Sequence, residues 1–365
     1  MTLNPSSGWS YYKQITISDT ANVSADYQLK LTVYSGAGAD DPSNAIIYCN
    51  NHCKDFPNDI RFGTDEVPPL ATQLPQWIES TTASSATIWI KCPSDGSDEF
   101  YMFVGNDSAS LYSDGSSTFI EFDDFDGSEL SDKWETGGDG TWGLSNSVLW
   151  CGGDSDIRWF WMVGGTSFTV PIAIDARIKF EGNAIKGSKV LAASDANFGG
   201  TVNDEISVNF NPWWLGTDPS TANRNFSAKD NGSSTMESID YSDLTSYHIH
   251  TIVSTDSEVK HYRDYSLDGD AIYDNIPDAS LKLGFFGGKS STDDLNIDWI
   301  RARKYASIQP EFSSFGSWRS VKISVGEDLM IYYDTLQSPN LIRCKCSRWD
   351  VSDYSVIVET WLNKS

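Results

Sequence analysis

Residues 203–210 read NDEISVNF, and their alternation sets the character of the chain. Successive side chains on a β-strand point to opposite faces. Ile206, Val208 and Phe210 therefore share one face, and Glu205, Ser207 and Asn209 share the other. Apolar residues alternating with polar ones over this length make a half-buried strand. Similar short runs rich in β-branched and aromatic residues recur: YKQITIS, YQLKLTVY, SATIWIKC, EFYMFVGN, PIAIDARIKF, YHIHTIVS and LKLGFF. Clusters of Gly, Asn, Asp, Ser and Pro separate them, and no long stretch shows a 3.6-residue apolar period. The expectation is an all-β chain of tandem β-sandwiches.

The central stretch resembles the active-site strand of the family 16 glycoside hydrolases. That family carries Glu, an aliphatic residue, Asp, any residue and Glu, which places three carboxylates on one face. Here Glu205 keeps the first place, while Ser207 and Asn209 fill the other two. Retaining hydrolysis needs two carboxyl groups about 5–5.5 Å apart, and this strand offers one. An amide has no useful proton to exchange near neutral pH. The resemblance thus implies a sugar-hydrolase fold that keeps binding and has lost cutting. Glu205, Ser207 and Asn209 would then serve a glycan as polar contacts.

Both ends of residues 118–305 extend this resemblance to concanavalin-like jelly rolls, laminin-G-type modules among them. The opening carries Asp123, Asp124, Phe125, Asp126, Gly127, Lys133 and Trp134. The ending carries Asp298, Trp299, Ile300, Arg301, Arg303 and Tyr305. Between them, residues 246–267, SYHIHTIVSTDSEVKHYRDYSL, look like the family's paired strands beneath the sugar groove. The resemblance implies a structural calcium held by Asp298, with Asp123 or Asp124 close by because the first and last strands pair. Calcium takes six to eight oxygens, so one or two carboxylates with carbonyls and water suffice.

Residues 8–106 resemble the family called domain of unknown function 2341. The resemblance rests on GWSYYKQITIS, NDIRFGTDE, LPQWIES, SATIWIKCP and EFYMFVGN. Members occur in modular surface and virus-associated proteins, beside lectin-like domains, so it implies a β-sandwich and no chemistry. Trp9, Trp77 and Trp89 are expected in the core, and Asp59, Asp65 and Glu66 in turns and surface positions. A small polar stretch, DSASLYSDGSS at 107–117, reads as a linker. Three domains follow: 1–117, 118–305 and a small β-rich module at 306–365. In the last, SVKISV, LMIYY and YSVIVETW read as strands and DTLQSPN as a turn.

Composition narrows the function. The 365 residues carry a formal net charge of −25, which repels phosphate backbones and speaks against nucleic acid. Fourteen tryptophans suit thick cores or sugar-stacking surfaces. Trp213 and Trp214 follow the central strand directly, and Trp159 and Trp161 lie two apart on one face. Either pair suits a stacking platform, and either suits a core. His248 and His250 share a strand face, and with Glu205 they are the remaining acid–base or metal candidates, although a zinc site needs three or four ligands. Cys49 or Cys53 with Cys92 would suit a disulfide, and buried free thiols are the alternative. No run is apolar enough for a membrane span, and the first residues show no signal peptide. The expected setting is a cell or virion surface, with a polysaccharide or cell-surface glycan as partner and homo-oligomers or appendage subunits as neighbours.

Overall fold

The computed structural model describes residues 8–66, 71–152, 157–181, 188–210, 224–239, 243–288, 294–321, 329–333, 341–347 and 357–363. It divides into two compact bodies, Met1–Trp318 and Arg319–Ser365.

Seven strands begin the first body: β1 (Tyr11–Ser18), β2 (Gln28–Tyr34), β3 (Ile46–Tyr48), β4 (Arg61–Gly63), β5 (Gln76–Thr81), β6 (Ser85–Lys91) and β7 (Glu99–Val104). One sheet runs β1-β7-β4 and the other β3-β2-β6-β5. Each strand turns its alternate apolar residues inward. Ile15 and Ile17 from β1, Leu31 and Val33 from β2, and Ile88 and Ile90 from β6 close one core. Asp59 is wholly buried, and its Oδ2 accepts from the backbone N–H of Lys54 (2.6 Å) and Gly105 (3.0 Å). The Lys54 contact is the local turn bond expected of it, whereas its burial and the long-range contact to Gly105 depart from the expected surface position.

The stretch read as a linker is pinned. Asp114 N–H donates to Gln76 O and Ser113 Oγ accepts from Ile78 N–H, while Asp114 caps a single helical turn, α1 (Gly115–Thr118). Its polar side chains act as hydrogen-bond partners for the edge of β5, which composition alone does not distinguish from a free tether.

The next fifteen strands form the central sandwich. They are β8 (Glu121–Asp123), β9 (Glu135–Gly137), β10 (Thr141–Ser145), β11 (Val148–Gly152), β12 (Ile157–Trp161), β13 (Ile172–Phe180), β14 (Ser188–Ser194) and β15 (Glu205–Phe210). Then come β16 (Arg224–Asp230), β17 (Ser233–Ser238), β18 (His248–Ser254), β19 (Val259–Arg263), β20 (Ser266–Leu267), β21 (Lys282–Gly288) and β22 (Leu295–Lys304). One sheet is ordered β17-β16-β15-β14-β21-β12-β9. The other is ordered β10-β11-β22-β13-β18-β19-β20, with β8 also on β22. The first and last strands pair as expected, Asp123 facing Ile300. Ile206, Val208 and Phe210 of β15 meet Ile174, Ala176 and Ile178 of β13 in a shared core.

One more strand, β23 (Glu311–Phe315), returns to the other edge of β1. Phe312 enters the N-terminal core, and Trp318 Nε1 donates to Tyr48 O at 2.9 Å. The module expected at 306–365 is thus shorter than its sequence implied, because residues 306–318 complete the first sandwich. The second body has strands Leu329–Tyr333, Leu341–Ser347 and Ile357–Asn363 in an antiparallel meander. DTLQSPN, most of SVKISV and the start of YSVIVETW lie outside the described residues.

The two sandwiches of the first body share a third core of Trp77, Trp89, Phe119, Phe122 and Trp299. Trp77 and Trp89 are buried as expected, but against the neighbouring sandwich. Arg301 is buried among these rings, its guanidinium carbon 4.2 Å from the Trp89 ring and 4.5 Å from that of Trp299. Its Nε donates to Asp175 Oδ2 at 2.7 Å, and its Nη2 lies 3.1 Å from Glu79 Oε2 of the N-terminal sandwich. Although burial opposes it, the pull of Arg303 and Arg301 holds the Asp175 carboxyl well below its ordinary range.

Candidate functional site

The registers of the seven-stranded sheet place three rows of side chains on the face opposite the core. One row runs Trp159, Phe286, Lys189, Asn209, Asn225 and Ser238. The next runs Trp161, Gly284, Ala192, Ser207, Ser227 and Met236. The third runs Lys282, Ser194, Glu205, Lys229 and Ser234. One half of the face is aromatic and the other polar, with Lys189 between.

Glu205, Ser207 and Asn209 come together as the alternation implies, and they are spent on protein partners. Lys189 Nζ donates to both carboxylate oxygens of Glu205. Ser207 Oγ donates to Glu205 Oε1 at 2.6 Å and lies 2.9 Å from Ser227 Oγ. Asn209 Nδ2 donates to Ser227 Oγ at 3.0 Å and to Asn225 Oδ1 at 3.1 Å. The three side chains are only 3 %, 0 % and 3 % exposed. They form a saturated ladder, so the free polar contacts expected of them for a glycan are not present. Lys189, Asn225 and Ser227 complete it. Their registers to β15 depend on how β14 and β16 pair with it, and a single strand's sequence does not carry that.

The ladder also limits chemistry. Glu205 faces a cation, a hydroxyl and, four residues on, an amide. Among the described residues the other carboxyl on these rows is Glu135 of β9, opposite Trp161 and four strands, about 19 Å, from β15, too far to act with Glu205 on one bond. His250 lies elsewhere. It is buried between the sheets against Phe210, with Nδ1 3.0 Å from His261 Nε2. Burial first, then His261, pushes its pKa well below the ordinary value. His248 Nδ1 meets Asp264 Oδ2 at 2.6 Å. The two histidines and Glu205 therefore form no common acid–base set, because β18 belongs to the opposite sheet.

The aromatic half is more open. Trp159 and Trp161 are half-buried, their rings on the outer face. A Cβ on Gly137 would come within 2.3 Å of the Trp159 ring, so only glycine lets the indole lie across β9. Lys282 Nζ stands 5.5 Å from the Trp161 ring. Trp161 Nε1 is buried and has no hydrogen-bond partner among the described residues. Trp213 and Trp214 lie outside the described residues.

Two of the carboxylates in which the resemblance implies calcium, Asp123 and Asp298, already have protein partners. Asp123 accepts from Phe125 N–H (2.8 Å) and Trp134 Nε1 (2.7 Å), using both oxygens. Asp298 pairs with Arg177 at 2.5 Å. A carboxylate already balanced by a guanidinium has little charge left for a cation. Among the described residues, the carboxylates that do converge are those of Asp204, Asp230 and Asp278. Cys49, Cys53, Cys92 and Cys151 are free thiols, so the bridge to Cys92 is not formed.

No curated protein matches the chain. Three solved structures are similar to part of the chain at low identity. The pseudo β-1,3-glucanase of Mycobacterium tuberculosis is 14% identical, covering 52% of this chain and 99% of that one, with a TM-score of 0.39. A β-1,3-glucanase from Mycobacterium marinum is 16% identical, covering 51% and 99%, with a TM-score of 0.38. The carbohydrate binding module CBM66 from Bacillus subtilis is 14% identical, covering 47% and 96%, with a TM-score of 0.34. Residues 56–137 match the family described as domain of unknown function (DUF2341). That match runs from just before β4 to the end of β9 and so crosses the packed boundary between the sandwiches. The chain is thus an all-β protein with a DUF2341-like N-terminal region beside a jelly roll that resembles glycoside hydrolases and carbohydrate-binding domains.

Proposed function

We propose that this protein binds glycans without cleaving them, through the aromatic half of the outer face. The observation that carries the reading is the Lys189–Glu205 pair beside half-buried Trp159 and Trp161. An indole face receives the C–H patches of a sugar ring, and the Lys282 ammonium near Trp161 suits its hydroxyls. With Glu205 paired to Lys189 and Glu135 four strands away, the described face brings no two carboxyls close enough to break a glycosidic bond. The carbohydrate-binding and glucanase names among the similar structures are in keeping with this reading, which rests on the face itself. Display on a cell or virion surface, as in a spike, fibre or tail appendage, would make weak sites useful, since many linked copies raise avidity.

A second reading is favoured by the saturation of the ladder. A face whose polar groups satisfy one another suits a structural module that assembles with its own kind or with other appendage subunits. The hydrolase alternative, through Glu205, has no second carboxyl within reach on that face among the described residues.

A polysaccharide panel that reads binding and released sugar together separates these outcomes. Binding without release is expected, weakened about tenfold in Trp159→Ala, which is the scale of one lost aromatic contact. Released sugar that disappears in Glu205→Gln would overturn the reading in favour of an enzyme. Silence across the panel with a stable homo-oligomer would favour the structural module.

A further inference from the structure

We propose that Asp204, Asp230 and Asp278 form a calcium site at the rim of the central sandwich. Each offers a carboxylate oxygen, and the three oxygens lie within 4.8 Å of one another. Among the described residues no ion pair reaches any of them. The nearest lysine in sequence, Lys229, sends its Nζ to Val202 O instead.

The second observation is Asp204 itself. Its side chain is 6 % exposed, and Oδ1 has no hydrogen-bond partner among the described residues. A buried carboxylate oxygen without a partner is costly unless something else meets it.

The strand period explains the position. Asp204 precedes β15 and alternates with Glu205, so it belongs to the core side together with Ile206. Asp230 ends β16 in phase with Phe226 and Ala228, again on the core side. Asp278 is exposed on the segment leading to β21. In the sheet, β14 lies between β15 and β21, so an ion here ties three chain segments across one end of that strand. The site is behind the outer face, not on it, and its role is to hold the rim from which Glu205 enters the ladder.

The donor chemistry selects the ion. All three groups are hard carboxylate oxygens, with no histidine or cysteine among them, which excludes a preference for zinc or copper. Calcium accepts three carboxylates with carbonyls and water in flexible geometry, and an exposed loop ligand such as Asp278 suits it better than the strict octahedron of magnesium.

The test uses the purified full chain, stripped with EDTA and exchanged into buffer of fixed ionic strength. Calcium is titrated by calorimetry, and thermal unfolding is followed with and without it. One equivalent should bind saturably, with a rise of a few degrees in Tm. Asp278→Asn removes a ligand from an exposed position and should weaken binding about tenfold or more while the fold remains. Asp298→Asn, in the place implied by the family resemblance, should bind as the parent does. The proposal fails if no saturable binding is seen. It fails equally if Asp278→Asn binds and stabilises like the parent, since the gain would then come from general screening of the acidic chain. Sugar binding plays no part in these readouts, so a negative glycan panel leaves this result standing.

Discussion

The interface between the sandwiches and the outer face of the seven-stranded sheet both bury a charge pair, and they do so differently. At the interface, Arg301 is enclosed by aromatic rings and held by Asp175 from β13 and Glu79 from β5. Its partners come from both sandwiches, so the pair fastens one to the other. On the outer face, Glu205 is met by Lys189 from the adjoining strand, and the pair ties only neighbours. Lys189 keeps 14 % of its side chain exposed, whereas Arg301 keeps none. A buried charge is therefore not in itself a sign of chemistry. One of these pairs cements a boundary, and the other fastens neighbouring strands of one face.

The sharpest way to break this comparison is Arg301→Gln. It leaves Glu79 and Asp175 buried with less to pair them and opens a gap among four rings. A loss of about 3–5 kcal/mol is expected by denaturant unfolding, since breaking a fully buried pair strands its partner. A loss under about 1 kcal/mol would show that the interface does not depend on it, since surface pairs contribute no more than that.

Lys189→Met should cost less, about 2 kcal/mol, because the partly exposed site lets water reach Glu205. Combined with Glu205→Gln, most of that loss should return, giving a coupling of about 1 kcal/mol or more in a double-mutant cycle. Additive losses would mean that the ladder is held by Ser207 and Asn209 alone.

The smallest effect concerns Lys30, which lies beside Tyr265 at the interface, its Nζ 3.1 Å from the ring centroid. Burial, with Arg301 and Arg303 adding to it against the pull of Glu79, lowers its pKa from 10.5 to about 8. The folded state then releases this proton first. Between about pH 8 and pH 10 the unfolded state binds more protons, so Lys30 makes stability rise with pH. The thiols of Cys92 and Cys151, whose pKa values burial raises, and that of Cys53, raised by its hydrogen bond with Cys49 and by burial, act in the opposite direction in the same window, so the Lys30 effect is read as a difference. From about pH 7.5 to about pH 9.5 the Tm of the parent should gain on that of Lys30→Met; equal changes in both would show that Lys30 keeps its ordinary pKa.

Much of the fold was legible from strand alternation. The period of two in residues 205–210 placed Glu205, Ser207 and Asn209 together, and the same period turned Arg301 and Arg303 away from the core of β22. It also kept Trp159 and Trp161 on one face. The fate of those faces was not legible. Trp77 and Trp89 read as core residues, yet the core they enter is shared between two sandwiches. Asp298 and Asp123 read as cation ligands, yet Arg177 and Trp134 claim them. Asp204, one residue before the most telling strand, gave no signal, because its partners lie 26 and 74 positions further on.

By itself, then, the sequence determined the class of the chain, the positions of most strands and which side chains share a face. These follow from local geometry, since neighbouring residues set the alternation wherever the strand ends up. Tertiary structure alone decided which strands lie side by side, and hence that a lysine neutralises Glu205, an arginine occupies Asp298 and three distant aspartates converge. Electrostatic pairing acts over a few ångströms of space, and only the folded chain sets those distances.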